Sequence, residues 1–293
     1  MERETLKSRL GFILLSAGCA IGIGNVWKFP YICGAYGGAA FILIYLCFLV
    51  ILGIPVLVAE FAVGRGSHTS VAKCFDKLAP AGSGWKPLKF IGIIGCYMLM
   101  MFYTTVGGWM IYYCVKSLRG DFVGATPEAV TQSFSDMLGN APTMMLWMVI
   151  ICLIGFAVCF MGLQNGIEKI SKVMMSALLI IMVILAVHSV MMEGAGEGIR
   201  FYLIPDFQKI KEAGVGNVVF AALSQSFFTL SIGIGAMLIF GSYLDKSRSL
   251  TGEAVSITVL DTFVALTAGF IIIPACFSYG IQPDAGPSLI FIT

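Results

Sequence analysis

Residues 18–25 read GCAIGIGN and residues 228–235 read FTLSIGIG, so alternating glycines interrupt two otherwise apolar stretches of the chain. A single Gly-x-Gly is typical of closely packed membrane helices. Two matching copies, each with polar neighbours, instead indicate two helices that are broken near the middle of a membrane. Unwound backbone is tolerated there only where it lines a cavity or is buried by protein, because its N–H and C=O groups need partners.

The composition places the chain in a membrane. Hydrophobic residues make up 58% of the 293 residues and charged residues 12%, whereas soluble globular chains carry roughly 25% charged residues. The 34 glycines fit the same class, because glycine lets membrane helices approach each other. A net charge of +2 lacks the basic stripe of a nucleic-acid surface. We therefore expect a helical bundle in a lipid bilayer and no nucleic-acid partner.

Seven apolar runs are long enough to cross a hydrocarbon core of roughly 30 Å. They cover residues 10–36, 39–63, 89–115, 143–163, 172–192, 216–241 and 254–280. If the N-terminus is cytoplasmic, most of the basic residues lie inside, namely Arg3, Lys7, Arg9, Arg65, Lys73, Lys77, Lys86, Lys89, Lys169, Lys172, Lys246 and Arg248. Because cytoplasmic loops retain positive charge, we predict a multi-pass protein of the plasma (inner) membrane with its N-terminus inside.

The two glycine-rich breaks fall in the first and sixth predicted helices, which are five helices apart. An odd number of helices per repeat inverts the second repeat relative to the first. We therefore predict a single transmembrane transporter domain over 1–293. Its first five-helix repeat covers 1–192, and a second, inverted repeat begins over 215–293.

Broken helices of this kind have a characteristic chemistry. The N-termini of half-helices would offer N–H groups and the positive end of the helix dipole to a carboxylate. Freed carbonyl groups would coordinate a small cation. The pattern predicts a site for a zwitterion together with sodium.

Further motifs carry a resemblance to a known family. Residues 25–31 read NVWKFPY, 53–55 read GIP, 60–65 read EFAVGR and 225–231 read QSFFTLS. Together with the first break, these motifs resemble the neurotransmitter:sodium symporters, and the resemblance extends over the whole chain. It implies an all-α integral membrane protein with the leucine-transporter-like fold, an inverted-repeat helical bundle truncated here after about seven transmembrane helices.

The resemblance also implies ligands. One sodium would be bound by hard oxygen donors, namely the Ala20 carbonyl, the Asn25 side-chain oxygen, Thr229 and Asp261. The substrate would contact Cys19, Ala20, Gly22, Ile23, Gly24, Tyr103, Phe228, Thr229, Ser231 and Ile234. A second sodium site would have only its half from helix 1, the carbonyls of Gly18 and Ile21, because the family's other ligands come from helix 8. The gate residues would be Arg3 and Lys28.

Four residues depart from the family pattern. Gly22 stands where amine-transporting members have an acidic residue, so the chain resembles the bacterial amino-acid branch, and its substrate must bring a carboxylate. Cys19 replaces a frequent Asn and Ile234 replaces a frequent pocket aromatic, which leaves the side-chain preference open. Lys28 replaces the usual outer-gate Arg and loses its planar fork of five donors.

Asp261 is the only acidic residue in the seventh predicted helix. An ionised group inside a membrane is costly and usually has a partner in an interior site. The resemblance makes sodium that partner. Chloride-dependent members are neutral here and balance the sodium charge with a bound chloride, whereas Asp261 would supply the negative charge permanently. Transport is therefore expected to be chloride-independent. The alternative is a protonated Asp261 that is hydrogen-bonded within the bundle.

Some of these residues also have simpler explanations. Tyr103 could be an interior aromatic residue whose hydroxyl is satisfied by a backbone carbonyl. Thr229 could donate back to its own helix, as Thr often does in membranes. Glu60 is interpreted as a structural residue near the inner interface, beside Arg65.

The predicted function is secondary active symport of an amino acid with sodium by alternating access. The sequence offers no nucleophile motif, metal cluster or phosphate loop, so we expect no enzyme and no organic cofactor. A seven-helix receptor or retinal protein is disfavoured by the cytoplasmic N-terminus and by the absence of Lys from residues 254–280. The remaining alternative is an incomplete, non-transporting fragment of such a symporter that acts only with partners or not at all.

Overall fold

The computed structural model describes residues 9–284 and 289–292, apart from the side chains of Asn165 and Ile292. Over these residues every regular element is a helix. The α-helices are α1 (Arg9–Ala20), α2 (Phe29–Ala35), α3 (Ala39–Phe48), α4 (Ile54–Ser67), α5 (Val71–Leu78), α6 (Leu88–Arg119), α7 (Pro127–Gly139), α8 (Ala141–Phe160), α9 (Lys169–Val190), α10 (Ala195–Leu203), α11 (Phe207–Ala213), α12 (Val215–Thr229), α13 (Ala236–Gly241), α14 (Leu250–Tyr279) and α15 (Leu289–Ile292). Short π-helical turns lie at Gly24–Lys28, Leu49–Gly53 and Leu163–Glu168.

Six of the seven predicted spans are found as membrane-length helical segments. Five of them are continuous, namely Ala39–Ser67, Leu88–Arg119, Ala141–Phe160, Gly166–Val190 and Leu250–Tyr279. The first predicted span is bent, because Arg9–Ala20 and Gly24–Ala35 meet at an angle of 52°. The break that the sequence predicted in helix 1 is therefore present.

The predicted span over 216–241 is more deeply interrupted than the others. It consists of α12, which has 15 residues, and α13, which has 6 residues. The chain between them, 230–235, forms turns. Neither piece alone has the roughly 20 residues that a bilayer needs. By length and apolar character the described residues thus contain six spans, and the remaining predicted span depends on pairing α12 with α13.

Helix α14 lies at the centre of the bundle. It contacts α1, α2, α4, α9 and α10. Its apolar residues are distributed around the helix rather than confined to one stripe, which is typical of a helix that is buried on several sides. Asp261, near its middle, has no exposed surface. A side chain at this position therefore meets several helices at once.

Helices α6, α8 and α9 present apolar side chains to the outside. Ile94 and Met101 on α6, Phe156 on α8 and Ile180 on α9 are all exposed. Apolar surface of this extent marks a membrane or protein contact. The surface suits a protein surrounded by lipid.

Four shorter helices, α5, α7, α10 and α11, lie in the loops between the spans, where the sequence analysis assigned no structure. Two of them begin at side-chain caps. The Thr126 hydroxyl accepts a 3.4 Å hydrogen bond from the backbone N–H of Ala129, and Asp206 Oδ1 accepts one of 2.9 Å from Gln208. Such caps satisfy N–H groups that a helix start leaves free.

Candidate functional site

The first break lies between α1 and α2. Helix α1 ends at Ala20, and a π-helical turn that begins at Gly24 leads into α2. Asn25 braces the gap, because its Oδ1 accepts a 3.4 Å hydrogen bond from the backbone N–H of Gly22. A Cβ on Gly24 would lie 2.9 Å from Cδ1 of Phe228. The absence of a side chain at Gly24 therefore lets the first break approach α12 closely.

The second break lies between α12 and α13. Its backbone takes positive φ angles at Ser231 (52°), Gly233 (93°) and Gly235 (78°). The two glycines adopt such angles without steric cost. Among the described residues, Ser231 shares a positive φ with only one other non-glycine residue, His68. Non-glycine residues held in this region are strained and cluster at functional sites.

Hydrogen bonds join the two breaks. The Ser231 hydroxyl donates to the Cys19 carbonyl at 3.1 Å, and Gln225 Nε2 donates to the Gly24 carbonyl at 2.9 Å. Carbonyl groups of the first break thus find partners on the second, as buried backbone requires. The structure brings the predicted substrate residues Cys19, Gly24 and Ser231 together.

The Asp261 carboxylate links both breaks to α14. Its Oδ1 accepts a 2.7 Å hydrogen bond from Asn25 Nδ2, and its Oδ2 accepts one of 2.8 Å from the Thr229 hydroxyl. Asn25 Nδ2 also lies 3.1 Å from the Asp261 carbonyl oxygen. All three side chains are completely buried. Thr229 therefore bonds across to α14 and not back to its own helix.

This cluster combines a buried acid with neutral partners. Within the described part of the chain, the hydrogen-bond donors to Asp261 are the Asn25 amide and the Thr229 hydroxyl, neither of which carries charge. A buried carboxylate is costly unless it is paired with a cation. Oxygen donors at broken helices are suited to sodium. The cluster can therefore accept a small monovalent cation.

The remaining predicted sodium ligands lie on or just after α1. Ala20 is the last residue of α1, and its carbonyl oxygen lies 4.0 Å from the point that a Cβ on Gly22 would occupy. Ile21 follows it, with its N–H donating to Ala17 at 2.6 Å. Gly18 packs against α9, where a Cβ would lie 3.3 Å from Met175. Sodium ligation by these three carbonyls stays a prediction.

A cavity of about 450 Å³ lies between α6, α12 and the second break. Its lining is mostly apolar and aromatic, and consists of Gly95, Met98, Leu99, Phe102, Tyr103, Ser224, Phe227, Phe228, Ser231, Ile232 and Ile234. Pockets for small molecules commonly measure about 300–1,000 Å³. The predicted substrate residues Tyr103, Phe228, Ser231 and Ile234 belong to this lining. The other predicted substrate residues are not part of it, namely Cys19, Ala20, Gly22, Ile23, Gly24 and Thr229.

Tyr103 faces the first break. Its hydroxyl oxygen lies 3.6 Å from the point that a Cβ on Gly22 would occupy, and its ring centroid is 6.5 Å from that of Phe228. No hydrogen bond joins this hydroxyl to another described residue. The hydroxyl is therefore not satisfied by a backbone carbonyl in the described chain, and it is free to donate to a ligand.

The predicted outer-gate residue Lys28 covers an aromatic wall of the cavity. Its Nζ lies 4.2 Å from the centroid of the Phe228 ring, a cation–π contact. Next to it, Trp27 stacks on Phe102 with centroids 5.7 Å apart. The gating role of Lys28 stays a prediction, and the other predicted gate residue, Arg3, lies outside the described residues.

The sequence analysis missed the partners of Glu60. Its carboxylate accepts hydrogen bonds from the backbone N–H groups of Gly233 at 2.6 Å and Leu238 at 3.2 Å. Arg65 instead donates to the Arg248 carbonyl at 2.8 Å. Glu60 therefore has a structural role, as predicted, but its hydrogen-bond partners are the backbone N–H groups of Gly233 and Leu238. The signal in the sequence was the position of Glu60 inside an apolar helix, because an acidic residue there needs a polar partner within the protein.

Gln225 was also missed, although it lies within the QSFFTLS motif. It is completely buried, and its Oε1 has no hydrogen-bond partner among the described residues. A buried side-chain amide in the middle of an apolar helix needs a donor for its oxygen and an acceptor for its NH₂ group. This requirement was the signal that could have marked Gln225 as part of the site.

Comparisons with known sequences identify a transporter family. The model of the sodium:neurotransmitter symporter family matches residues 3–133 and 128–280. YhdH, an uncharacterized sodium-dependent transporter of Bacillus subtilis (strain 168), is 37% identical over 284 residues, which cover 97% of this chain and 62% of YhdH. An uncharacterized sodium-dependent transporter of Haemophilus influenzae is 34% identical over 299 residues, which cover 99% of this chain and 65% of that protein. The chain thus spans less than two thirds of the length of these relatives.

A solved structure has the same architecture. The crystal structure of MhsT in complex with L-phenylalanine matches with a TM-score of 0.92 and 38% sequence identity. The match covers 99% of this chain and 65% of MhsT. Because MhsT has the leucine-transporter fold, the predicted fold class is confirmed.

Proposed function

The chain belongs to the sodium:neurotransmitter symporter family, and on that basis we propose that it carries an amino acid together with sodium across the plasma (inner) membrane by alternating access, without chloride. The observation that carries the proposal is the buried Asp261 carboxylate. It binds Asn25 of one broken helix and Thr229 of the other at the same time. An ion that occupied this cluster would therefore act on both breaks.

Sodium is the proposed coupling ion for two reasons. First, Asp261, Asn25, Thr229 and the Ala20 carbonyl offer hard oxygen donors, and the carboxylate provides a charge that a buried cation can balance. Second, the relatives from Bacillus subtilis and Haemophilus influenzae are described as sodium-dependent transporters. A second ion at the carbonyls of Gly18 and Ile21 is part of the same proposal.

An amino acid is the proposed substrate because the breaks can hold both ends of a zwitterion. The N–H groups of Ile23 and Gly24 and the free Tyr103 hydroxyl would hold the carboxylate, and carbonyls at Cys19 and Phe228 would receive the amino group. Gly22 has no acidic side chain that could pair with the ammonium group of a substrate, so the substrate must bring its own carboxylate. MhsT was solved with L-phenylalanine, an amino acid.

Chloride independence follows from the charge of Asp261. A permanent carboxylate at the ion cluster would balance the sodium charge, so no mobile anion is needed. Alternating access would be controlled at the outer side by Lys28, which already covers Phe228, and at the inner side by Arg3. The N-terminus would be cytoplasmic because positive charge is retained inside.

Uptake of radiolabelled amino acids into proteoliposomes tests the proposal. We expect uptake under an inward sodium gradient, loss of uptake with a sodium ionophore, and no change when gluconate replaces chloride. Protein-free liposomes are the control. Uptake that is indifferent to sodium would contradict the coupling, and uptake that stops without chloride would contradict the role of Asp261. The alternative, a chain that acts only with partners or not at all, predicts no uptake by the 293-residue chain under any condition.

A further inference from the structure

A second cavity, also of about 450 Å³, lies where the end of α6 meets the start of α8. Helix α7, which connects these two helices in the chain, forms one wall of it. Tyr112 and Lys116 of α6, Ser133 and Asp136 of α7, and Asn140, which caps α8, belong to its lining. It shares no lining residue with the cavity beside the second break. The second cavity is therefore separate from the candidate substrate site.

Lys116 brings an unpaired positive charge to this cavity. The side chain is half-buried. Its Nζ donates a 2.8 Å hydrogen bond to the Ser133 hydroxyl and lies 5.5 Å from the ring centroids of Tyr112 and Phe122. No ion pair among the residues that the structure describes involves Lys116. Because a charge that is partly removed from water needs a counter-charge, Lys116 would attract an anionic group.

Asp136 brings an unpaired negative charge to the same cavity. Its Oδ1 accepts a 2.8 Å hydrogen bond from the uncharged amide of Gln132. Neither Lys116 nor any other described cation forms an ion pair with Asp136. The cavity therefore offers one positive and one negative group, and a ligand that carries both charges would balance the two.

The position of the cavity along the spans matches the membrane–water interface. Both α6 and α8 are long and apolar enough to cross a membrane, and the cavity lies at an end of each. Tyr112 packs against Trp147 with ring centroids 6.0 Å apart, and Tyr and Trp are enriched at this level of a bilayer. Met145 and Leu146, which follow the lining residue Thr143 on α8, are exposed. A lipid would thus place its headgroup in the cavity and its acyl chains against α8.

The two charges select among phospholipid headgroups. A phosphate group suits Lys116, because lysine binds phosphate as a point charge. A primary ammonium group suits Asp136, because it donates hydrogen bonds to a carboxylate. A glycerol headgroup brings no cation for Asp136. Choline brings a quaternary ammonium group that aromatic cages recognise, whereas Tyr112 is the only aromatic residue in the described lining.

We propose that this cavity binds a phospholipid with an ethanolamine headgroup, whose phosphate contacts Lys116 and whose ammonium group contacts Asp136. In the predicted orientation this lipid belongs to the outer leaflet. The site goes beyond the proposed transport function, because it involves neither the substrate nor the coupling ion.

Native mass spectrometry of the purified protein in detergent tests the proposal, with phosphatidylethanolamine, phosphatidylglycerol and phosphatidylcholine of identical acyl chains as probes. We expect phosphatidylethanolamine to bind about tenfold more tightly than the other two lipids, the size expected for one hydrogen bond to a charged group. Inorganic phosphate and glycerophosphoethanolamine, the headgroup without acyl chains, should bind more weakly than the lipid. Equal affinities for the three lipids would overturn the headgroup assignment. A soluble phosphate compound that binds as tightly as the lipid would overturn the lipid as the ligand.

Two substitutions separate the two contacts. Lys116→Gln should weaken phosphatidylethanolamine and phosphatidylglycerol alike by about tenfold, because both lipids contain the phosphate. Asp136→Asn should abolish the preference for phosphatidylethanolamine and leave phosphatidylglycerol binding no weaker. Lys211→Gln, which removes an exposed lysine of α11, is the matched control and should bind all three lipids as the wild type does.

The two variants give distinct outcomes. Wild-type lipid binding in both Lys116→Gln and Asp136→Asn would overturn the site. Weaker binding in Lys116→Gln together with an unchanged lipid preference in Asp136→Asn would overturn the ammonium contact alone. Because Asp136→Asn alters an exposed side chain, its lipid preference decides this contact even where Lys116→Gln folds poorly.

Discussion

At the scale of single residues, the site contains buried polar side chains that form hydrogen bonds with other protein groups instead of with water. Asn25, Thr229 and Asp261 are completely buried, and the first two both donate hydrogen bonds to the Asp261 carboxylate. Tyr103 differs from them, because its hydroxyl faces the first break without a described partner. Tyr103 is partly buried and lines the cavity, so its hydroxyl is placed to meet a ligand there.

Removal of the Tyr103 hydroxyl should weaken substrate binding. In Tyr103→Phe the substrate carboxylate loses one donor, and a hydrogen bond to a charged group contributes about 1.5–3 kcal/mol. Equilibrium binding of L-phenylalanine measures this loss. Tyr97→Phe is the control, because Tyr97 lies on the same helix with an exposed side chain. A Tyr103→Phe protein with normal affinity but a poor folded yield would show that the hydroxyl is only structural.

The sequence could supply most of the residues of the site but not all of their contacts. Asp261 stood out as the only acid of its span, and the glycines marked both breaks. The partners of Glu60 could not be read from the sequence, because Gly233 lies 173 residues away along the chain.

At the scale of elements, each broken helix is held by side chains from another helix. The second break is the longer one, and Glu60 of α4 accepts hydrogen bonds from the N–H of Gly233 in the break and of Leu238 in α13. Its position could be predicted because alternating glycines permit positive φ angles. The length of α13 and the loop helices could not be predicted, because short helices form through tertiary packing and caps rather than through apolar length.

Neutralising Glu60 should destabilise the second break. Glu60→Gln keeps one acceptor oxygen and places an N–H₂ group against a backbone donor, and a buried donor without a partner costs about 1–3 kcal/mol. The midpoint of thermal unfolding in detergent should fall for Glu60→Gln. It should stay unchanged for Glu193→Gln, which alters an exposed loop residue. Equal midpoints for wild type and Glu60→Gln would contradict the role of Glu60 as a support for the break.

At the scale of the whole molecule, α14 connects the ion cluster to the rest of the bundle, because it contacts α1, α2, α4, α9 and α10. The broken α1–α2 pair also contacts α14 directly. Movement of either break would therefore change the hydrogen bonds of Asp261 with Asn25 or Thr229. The distribution of Lys and Arg in the sequence predicts that the N-terminus faces the cytoplasm.

The orientation can be tested with single cysteines in exposed loops. Lys86→Cys lies in a predicted inner loop and Ser135→Cys in a predicted outer one, and both side chains are exposed. A membrane-impermeant maleimide added to intact cells should label Ser135→Cys above the wild-type background, but Lys86→Cys only after permeabilisation. The reverse pattern would contradict a cytoplasmic N-terminus.

We propose that sodium at Asp261 controls substrate binding, and the sodium dependence of L-phenylalanine affinity in chloride-free buffer measures this control. The affinity of the wild type should rise with sodium concentration. The same rise is expected for Thr267→Val, which changes a hydroxyl on α14 that bonds back to Phe263 at 2.7 Å. Asp261→Asn should lose this dependence, because the charge that balances the cation is gone. Wild-type sodium dependence in Asp261→Asn, or wild-type affinity that does not respond to sodium, would contradict control of substrate binding by sodium at Asp261.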